Sequence, residues 1–138
     1  MNEVRSGDAQ LLVANWRELS RAFALTSCRL DKVLHDRHGL GMSEFEILDR
    51  LAEATPCESV RMHDLGDAVH LSQSALSRAV ARLEKDGLVT RGLCDDDRRA
   101  VFVTFTDAGR ARWAEALPTH REVLAESMMP DMHELTRL

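Results

Sequence analysis

The chain lacks three features that would place it outside the reducing interior of a cell. It has no run of about 18 apolar residues, which a membrane-spanning helix needs. Its first residues lack the apolar stretch and small-residue site of a secretory signal. Its cysteines, Cys28, Cys57 and Cys94, form no paired spacing, which favours free thiols. We therefore expect a cytoplasmic protein without a membrane segment.

The chain also lacks the residue patterns that enzymes and metal proteins need. It has no Ser/His/Asp set, no glycine-rich phosphate loop and no paired-carboxylate motif. His35 and His38 lie three residues apart near a helix end, and His63 and His70 lie at the short third helix, but we do not expect them to form a ligand cluster with His120 and Glu122 of the C-terminal helix. The sequence therefore predicts no catalytic activity, no cofactor and no metal site.

What the chain does have is an uneven distribution of charge. With 138 residues, 44% hydrophobic and 30% charged, it has the composition of one folded domain. The formal net charge is -5, yet residues 61–112 carry 9 basic and 8 acidic side chains, and both flanking segments are acidic. Because the local potential governs contact with phosphate, the middle of the chain is a candidate surface for nucleic acid.

Two long amphipathic helices are predicted at the ends of the domain. Apolar residues recur at steps of three and four from about Ala9 to Arg37, and Gly39 and Gly41 end this pattern. A second long helix begins near Asp107 and bends at Pro118. Helices of this length have no obvious partner inside so small a domain. We therefore expect a homodimer.

A compact lobe is predicted between the two long helices. Ser43 has the character of an N-cap, and Glu46 completes a capping box for the helix that follows. A short helix is predicted at Met62–Val69. Ser72 then caps a further amphipathic helix, which Gly87 stops.

Two β-rich runs follow this helix, at Leu88–Leu93 and Val101–Thr106, and a charged linker joins them. A helix pair followed by a basic hairpin is typical of a winged helix-turn-helix. The predicted fold class is mainly α with a small β wing. The single domain, 1–138, comprises a DNA-binding lobe at about 43–106 and dimerisation helices at about 9–38 and 107–138.

The helix after Ser72 carries residue types that read DNA. At about 100° per residue, its apolar residues fall on one side and its polar residues on the other. Arginine donates to guanine, glutamine pairs with adenine and serine donates to phosphate. We predict contacts with double-stranded DNA through Ser72, Gln73, Ser74, Ser77, Arg78 and Arg82. The alternative is an ordinary solvated helix face.

The chain resembles the MarR family of bacterial winged-helix regulators from about Ala9 to Met129. The resemblance is carried by LSQSALSRAVARLEKDGLV, which starts at Leu71, and by DDDRRAVFVTFTDAG, which starts at Asp95. It implies a dimeric repressor, or occasionally an activator, that binds a pseudo-palindromic operator. It also implies that a small ligand or an oxidant changes the affinity for DNA.

The resemblance assigns roles in the charged loop as well. Arg99 is similar to the family arginine that enters the minor groove, Asp97 to the carboxylate that orients it, and Arg98 is a phosphate neighbour. A guanidinium suits this groove because it is flat, always charged and weakly hydrated. The alternative is a surface ion-pair cluster in which Asp95 and Asp96 help to neutralise both arginines.

The resemblance further suggests an effector pocket between the first helix and the lobe. The urate-responsive subgroup uses a tryptophan on the first helix, an acid on the second and an arginine on the strand after the recognition helix. Trp16, Glu46 and Arg91 match these places, although Glu46 replaces an aspartate. The segment ALPTH at 116–120 is similar to that subgroup's bent helix. We expect a small aromatic or anionic effector; the alternative is a core tryptophan and two surface charges.

Two other functions stay open. One is a thiol-based redox regulator of the same fold, although the aspartates near Cys94 disfavour its thiolate and Cys28 lies within a helix rather than at its start. The other is a winged helix that docks protein and does not bind DNA. The serine-rich helix face and the arginines argue against that function.

Overall fold

The computed structural model describes residues 5–54, 59–93 and 100–128. These ranges contain the helices α1 (Ser6–His38), α2 (Met42–Glu53), α3 (Met62–Val69), α4 (Gln73–Lys85) and α5 (Asp107–Met128). They also contain the strands β1 (Ser59–Arg61), β2 (Val89–Leu93) and β3 (Val101–Phe105). The predicted fold class, mainly helical with a small β wing, is confirmed.

Three predicted helix ends are confirmed by hydrogen bonds and backbone angles. Gly39 ends α1 with a φ of 67°, and its N–H donates to the carbonyl of His35 at 3.0 Å. Ser72 begins α4, since its Oγ accepts the N–H of Ala75 at 3.2 Å. Gly87 follows α4 with a φ of 75°, a left-handed conformation that favours glycine. The C-terminal end of α1 and both ends of α4 therefore agree with the prediction.

The start of α2 differs from the prediction. The helix begins at Met42, and the N–H of Gly41 before it donates to Glu44 Oε2 at 2.6 Å. The predicted capping box of Ser43 and Glu46 is therefore wrong. A carboxylate three residues after the N-cap can reach back to the free N–H, and Glu44 has that spacing from Gly41.

The strands form one antiparallel sheet in the order β1-β3-β2. Val60 of β1 lies opposite Val103 of β3, and Leu93 of β2 lies opposite Val101 of β3. The β2–β3 hairpin agrees with the prediction, whereas β1 was not predicted, because three residues are too few to show an alternating pattern. β1 covers one edge of β3 and leads directly into α3.

The hydrophobic core lies between α2, α3, α4 and the inner side of the sheet. Its most deeply buried side chains include Phe45 and Leu48 of α2, Leu65 of α3, Leu76 of α4 and Val103 of β3. Full burial of one such side chain contributes about 1.5–3 kcal/mol. This core holds α4 by one side only and leaves its other side at the surface.

The turn after α4 is tied to the start of α5. The N–H of Thr106 donates to the carbonyl of Leu88 at 3.2 Å, and the Thr106 hydroxyl donates to the carbonyl of Gly87 at 2.7 Å. The same hydroxyl accepts the N–H of Gly109 at 2.9 Å. A Cβ at Gly109 would lie 2.0 Å from the Leu88 carbonyl oxygen, so a side chain there would displace the backbone. We call these four residues the α4–α5 clasp.

α1 packs on the rest of the chain through its C-terminal half. Leu30 and Leu34 are buried, and Arg29 forms an ion pair with Glu126 near the end of α5. The N-terminal half presents large apolar side chains to the surface, namely Leu11, Leu12, Val13, Trp16, Leu19, Phe23 and Leu25. We call residues 11–25 the exposed apolar segment. Among the described helices, none has the length and apolar character that crossing a bilayer requires.

Candidate nucleic-acid interface

The polar side of α4 faces away from the core. Ser72, Gln73, Ser74 and Arg78 are exposed, and Ser77 is half-buried. The opposite side of the helix packs inward through Leu76, Ala79, Val80 and Leu83. α4 therefore presents hydroxyl, amide and guanidinium groups on one surface. These groups donate to phosphate oxygens and to the edges of bases.

Arg82 has a different environment from the other predicted contacts on α4. Its Nε donates to Glu44 Oε1, and Glu44 also accepts the N–H of Gly41. The side chain of Arg82 remains 57% exposed, whereas that of Glu44 is 12% exposed. Arg82 therefore holds α4 against the first turn of α2, and part of its guanidinium is occupied within the protein.

The base of the wing lies beside the N-terminal end of α4. β2 and β3 stay paired to Leu93 and Val101, the last pair before the charged loop. Ala100 and Val101 line one cavity together with Gln73, the first residue of α4. The start of α4 and the start of β3 are thus neighbours on a single surface.

Several predicted residues lie outside the described residues. These are the wing residues Asp97, Arg98 and Arg99 and the cysteines Cys57 and Cys94. Contact of the wing with a minor groove therefore stays a prediction. What the structure describes is the hairpin on which that loop is carried and the surface beside it.

Arg91 of β2 is bonded to α4. Its Nε and Nη2 donate to Glu84 Oε1 at 3.3 and 3.1 Å, and its backbone N–H donates to Glu84 Oε2 at 3.1 Å. The hydrogen bonds from Arg91 hold the pKa of Glu84 below its ordinary value. Arg91 therefore joins the wing to the last turns of α4.

Glu46 belongs to a polar network between α2 and α5 that the sequence did not predict. His120 is 3% exposed, and its ring stacks on that of Phe45 with centroids 4.3 Å apart. His120 Nε2 lies 3.2 Å from Glu46 Oε1, and His120 Nδ1 lies 2.6 Å from Arg121 Nη1. Arg121 also donates to both oxygens of Asp49, at 3.0 and 3.1 Å. Because a guanidinium only donates, Nδ1 accepts and Nε2 carries the proton that bonds Glu46.

The single chain does not bring the three predicted effector residues together. Trp16 is 69% exposed in the N-terminal half of α1. Glu46 is bonded to His120 of α5, and Arg91 is bonded to Glu84 of α4. The cavity that Arg91 lines is formed by the sheet and contains neither Trp16 nor Glu46. An effector site at these residues stays a prediction.

Cys28 is exposed on α1, and it is the one free cysteine in the part of the chain that the structure describes. Across residues 5–54, 59–93 and 100–128, no three side chains of metal-binding type are grouped together.

Comparison with known proteins agrees with this geometry. A model of the MarR family matches residues 38–100. The chain is 28% identical to the HTH-type transcriptional regulator MhqR of Bacillus subtilis over 78% of its length and 72% of that protein. It is 29% identical to the homoprotocatechuate degradative operon repressor of Escherichia coli over 74% of its length and 70% of that protein.

A solved structure is similar to nearly the whole chain. It is that of Sco3205, a MarR family transcriptional regulator from Streptomyces coelicolor, in complex with DNA. The TM-score is 0.80 at 29% identity, and the match covers 99% of this chain and 88% of Sco3205.

Proposed function

We propose that this chain is a MarR family winged-helix transcriptional regulator that acts as a homodimeric repressor. The family match and the solved structures support the family. The dimer binds a pseudo-palindromic duplex and releases it when a small aromatic or anionic molecule binds. The observation that carries the proposal is the exposed polar side of α4 beside the base of the wing. Such an arrangement suits a helix in a major groove and a loop in the neighbouring minor groove.

The chemistry of α4 supports sequence-specific binding. In the proposed complex, Arg78 donates two hydrogen bonds to a guanine and Gln73 pairs with an adenine. Ser74 and Ser77 donate to phosphate and position the helix. Arg98 and Arg99 of the wing add contacts from the neighbouring groove.

DNA binding is tested by fluorescence anisotropy with duplexes selected from a random pool, at stated salt. Arg78→Ala removes one bidentate base contact in each half-site, so it should weaken binding to the selected duplex by about 2–6 kcal/mol, which is at least about 30-fold in Kd. Arg110→Ala is the matched control, because Arg110 lies over Phe105, at the opposite end of β3 from the wing. If no duplex binds even at low salt, DNA binding is wrong and a protein-docking winged helix is favoured.

The proposed homodimer uses the exposed apolar segment of α1. Soluble monomers rarely expose an apolar patch of more than a few hundred Å². Trp16, Leu19 and Phe23 continue the stripe that is buried at Leu30 and Leu34. A second copy suits this face, since a two-fold axis brings the same surface of each protomer together. The same axis gives two α4 helices for two half-sites about 34–36 Å apart.

We also propose that a small effector controls DNA binding. It is supported by the homoprotocatechuate degradative operon repressor, whose name points to an aromatic acid for that protein. Trp16, Glu46 and Arg91 are the proposed contacts in the dimer. Because Glu46 is bonded to His120 and Arg91 to Glu84, a ligand would have to replace these bonds.

A thermal-shift screen with aromatic acids, purines and carboxylates tests ligand control, because a ligand that binds only the folded protein raises its Tm. Each compound that raises Tm is then titrated into the protein–DNA complex. We expect it to lower the affinity for DNA in the wild type and to act more weakly on Glu46→Gln. If the compounds that raise Tm leave the affinity for DNA unchanged, ligand control is wrong while DNA binding stands.

A further inference from the structure

We propose that Arg61, at the end of β1, is a further contact for the DNA backbone on each protomer and binds a phosphodiester group between α4 and the wing. This inference rests on the proposed function and adds β1, which the sequence did not predict, to the binding surface. It names a third element that contacts the duplex, in addition to α4 and the charged loop.

The position of Arg61 follows from one cavity of about 350 Å³. Arg61 and His63, at the junction of β1 and α3, form one wall of this cavity. Gln73 of α4 and the residues Ala100 and Val101 at the start of β3 line the same cavity. A nucleic-acid strand that passes from the start of α4 to the wing must therefore cross its mouth.

The guanidinium of Arg61 is available to an anion. Arg61 is exposed, and among the described residues it has no carboxylate within ion-pair distance. Arg82 and Arg91, by contrast, are each paired with a glutamate. Within residues 5–54, 59–93 and 100–128, no carboxylate competes for the N–H groups of Arg61, which can donate to phosphate oxygens.

The sheet holds Arg61 in place without using its hydrogen-bond donors. Arg61 lies opposite Phe102 in the register of β1 and β3, and its Cζ is 5.8 Å from the centre of the Phe102 ring. A guanidinium over an aromatic face is attracted by the ring and keeps its N–H edges directed outward. This contact reduces the conformational freedom that Arg61 would lose on binding DNA.

Asp64 determines where a phosphate can bind. Asp64 lines the same cavity, and its negative charge disfavours an anion inside the cavity by like-charge repulsion. The phosphodiester group therefore binds at the rim, next to Arg61, and does not enter. Replacing Asp64 by asparagine removes this repulsion and should strengthen DNA binding.

The test compares the salt dependence of DNA binding for wild type, Arg61→Ala, Arg61→Lys and the control Arg110→Ala. Each phosphate contact contributes about 0.9 to the slope of log K against log[salt]. Losing one contact per protomer of a dimer lowers the slope by about 1.8. Between 50 and 200 mM salt, the wild type should therefore lose about tenfold more affinity than Arg61→Ala.

Four further results are expected if Arg61 binds phosphate. The loss in Arg61→Ala should be the same for selected and random duplexes, because phosphate carries no sequence information. Arg61→Lys should restore most of the slope, and Asp64→Asn should tighten binding. Arg110→Ala should match the wild type, because Arg110 lies over the Phe105 ring, with its Cζ 4.8 Å from the ring centre, and away from the wing.

The outcomes separate this inference from the proposed function. If wild type binds DNA and folded Arg61→Ala, judged by its melting temperature, keeps the full slope and affinity, the role of Arg61 is wrong and DNA binding stands. A lysine also carries a positive charge that binds phosphate. If Arg61→Lys has as shallow a salt slope as Arg61→Ala, the proposed role of Arg61 is therefore also wrong. If wild type binds no duplex, both proposals fail together.

Discussion

The two halves of α1 carry the same apolar periodicity but have different surroundings. In the C-terminal half, the stripe contacts α5 and the lobe, and Leu30 and Leu34 are buried. In the N-terminal half, the same stripe lies at the surface, and Trp16 and Phe23 are 69% and 72% exposed. A helical pattern thus indicates that one face is to be buried, but it does not say whether the partner is in the same chain.

The largest effect is expected when a charged side chain replaces an apolar one in the exposed N-terminal half of α1. Phe23→Asp should weaken the proposed dimer by about 4 kcal/mol, roughly 1000-fold in Kd, since each protomer loses one apolar anchor worth about 2 kcal/mol. Sedimentation equilibrium measures the change. Gln10→Asp is the control, because Gln10 is exposed, lies outside the exposed apolar segment, and is separated from Phe23 by about 140° around α1 at about 100° per residue. A wild type that is monomeric at micromolar concentration would contradict the dimer.

The second effect is a loss of folding stability, and it is expected when a side chain in the buried C-terminal half of α1 is shortened. Leu34 is fully buried, so Leu34→Ala should lower the free energy of unfolding by about 2–5 kcal/mol. Leu19→Ala makes the matched comparison, and in the monomeric Phe23→Asp background it should change the free energy of unfolding by less than about 0.5 kcal/mol. Urea denaturation measures both. Equal losses at the two positions would mean that the halves do not differ as described.

The smallest effect is expected where the buried half begins. Arg29 and Glu126 join α1 to the end of α5, but their side chains are 50% and 40% exposed. Solvent and salt screen such a pair, so its coupling energy should be about 0.2–1 kcal/mol. A double-mutant cycle with Arg29→Ala and Glu126→Ala, followed by thermal unfolding, gives this value. A coupling above about 2 kcal/mol would show that the pair contributes to packing as well as to charge.

Most local features of the fold could be predicted from the sequence because they depend on neighbouring residues. Gly39, Ser72 and Gly87 end or begin helices through hydrogen bonds to residues within a few positions of them. The bounds of α3 agree with the prediction for the same reason. β1 was missed because its three residues gain stability only from pairing with β3, more than forty residues away.

The partners of the candidate site residues could not be predicted in this way. The side chain of Glu46 bonds His120, 74 residues along the chain, and Arg82 bonds Glu44, 38 residues before it. A sequence pattern places these side chains on one face of a helix but does not identify what packs there. Likewise, the exposure of Arg61 beside Gln73 depends on how β1, α3 and β3 come together.

The α4–α5 clasp couples a tilt of α5 to a displacement of the N-terminal end of α4. Thr106 is hydrogen-bonded to the carbonyls of Gly87 and Leu88, and Gly109 lies against Leu88. The C-terminal end of α4 is therefore held against the first turn of α5. α4 has 13 residues and is therefore about 20 Å long. If α5 tilts by about 5°, geometry alone moves the far end of a helix of that length by nearly 2 Å. A displacement of that size would move Gln73 away from the adenine that it contacts in the proposed complex.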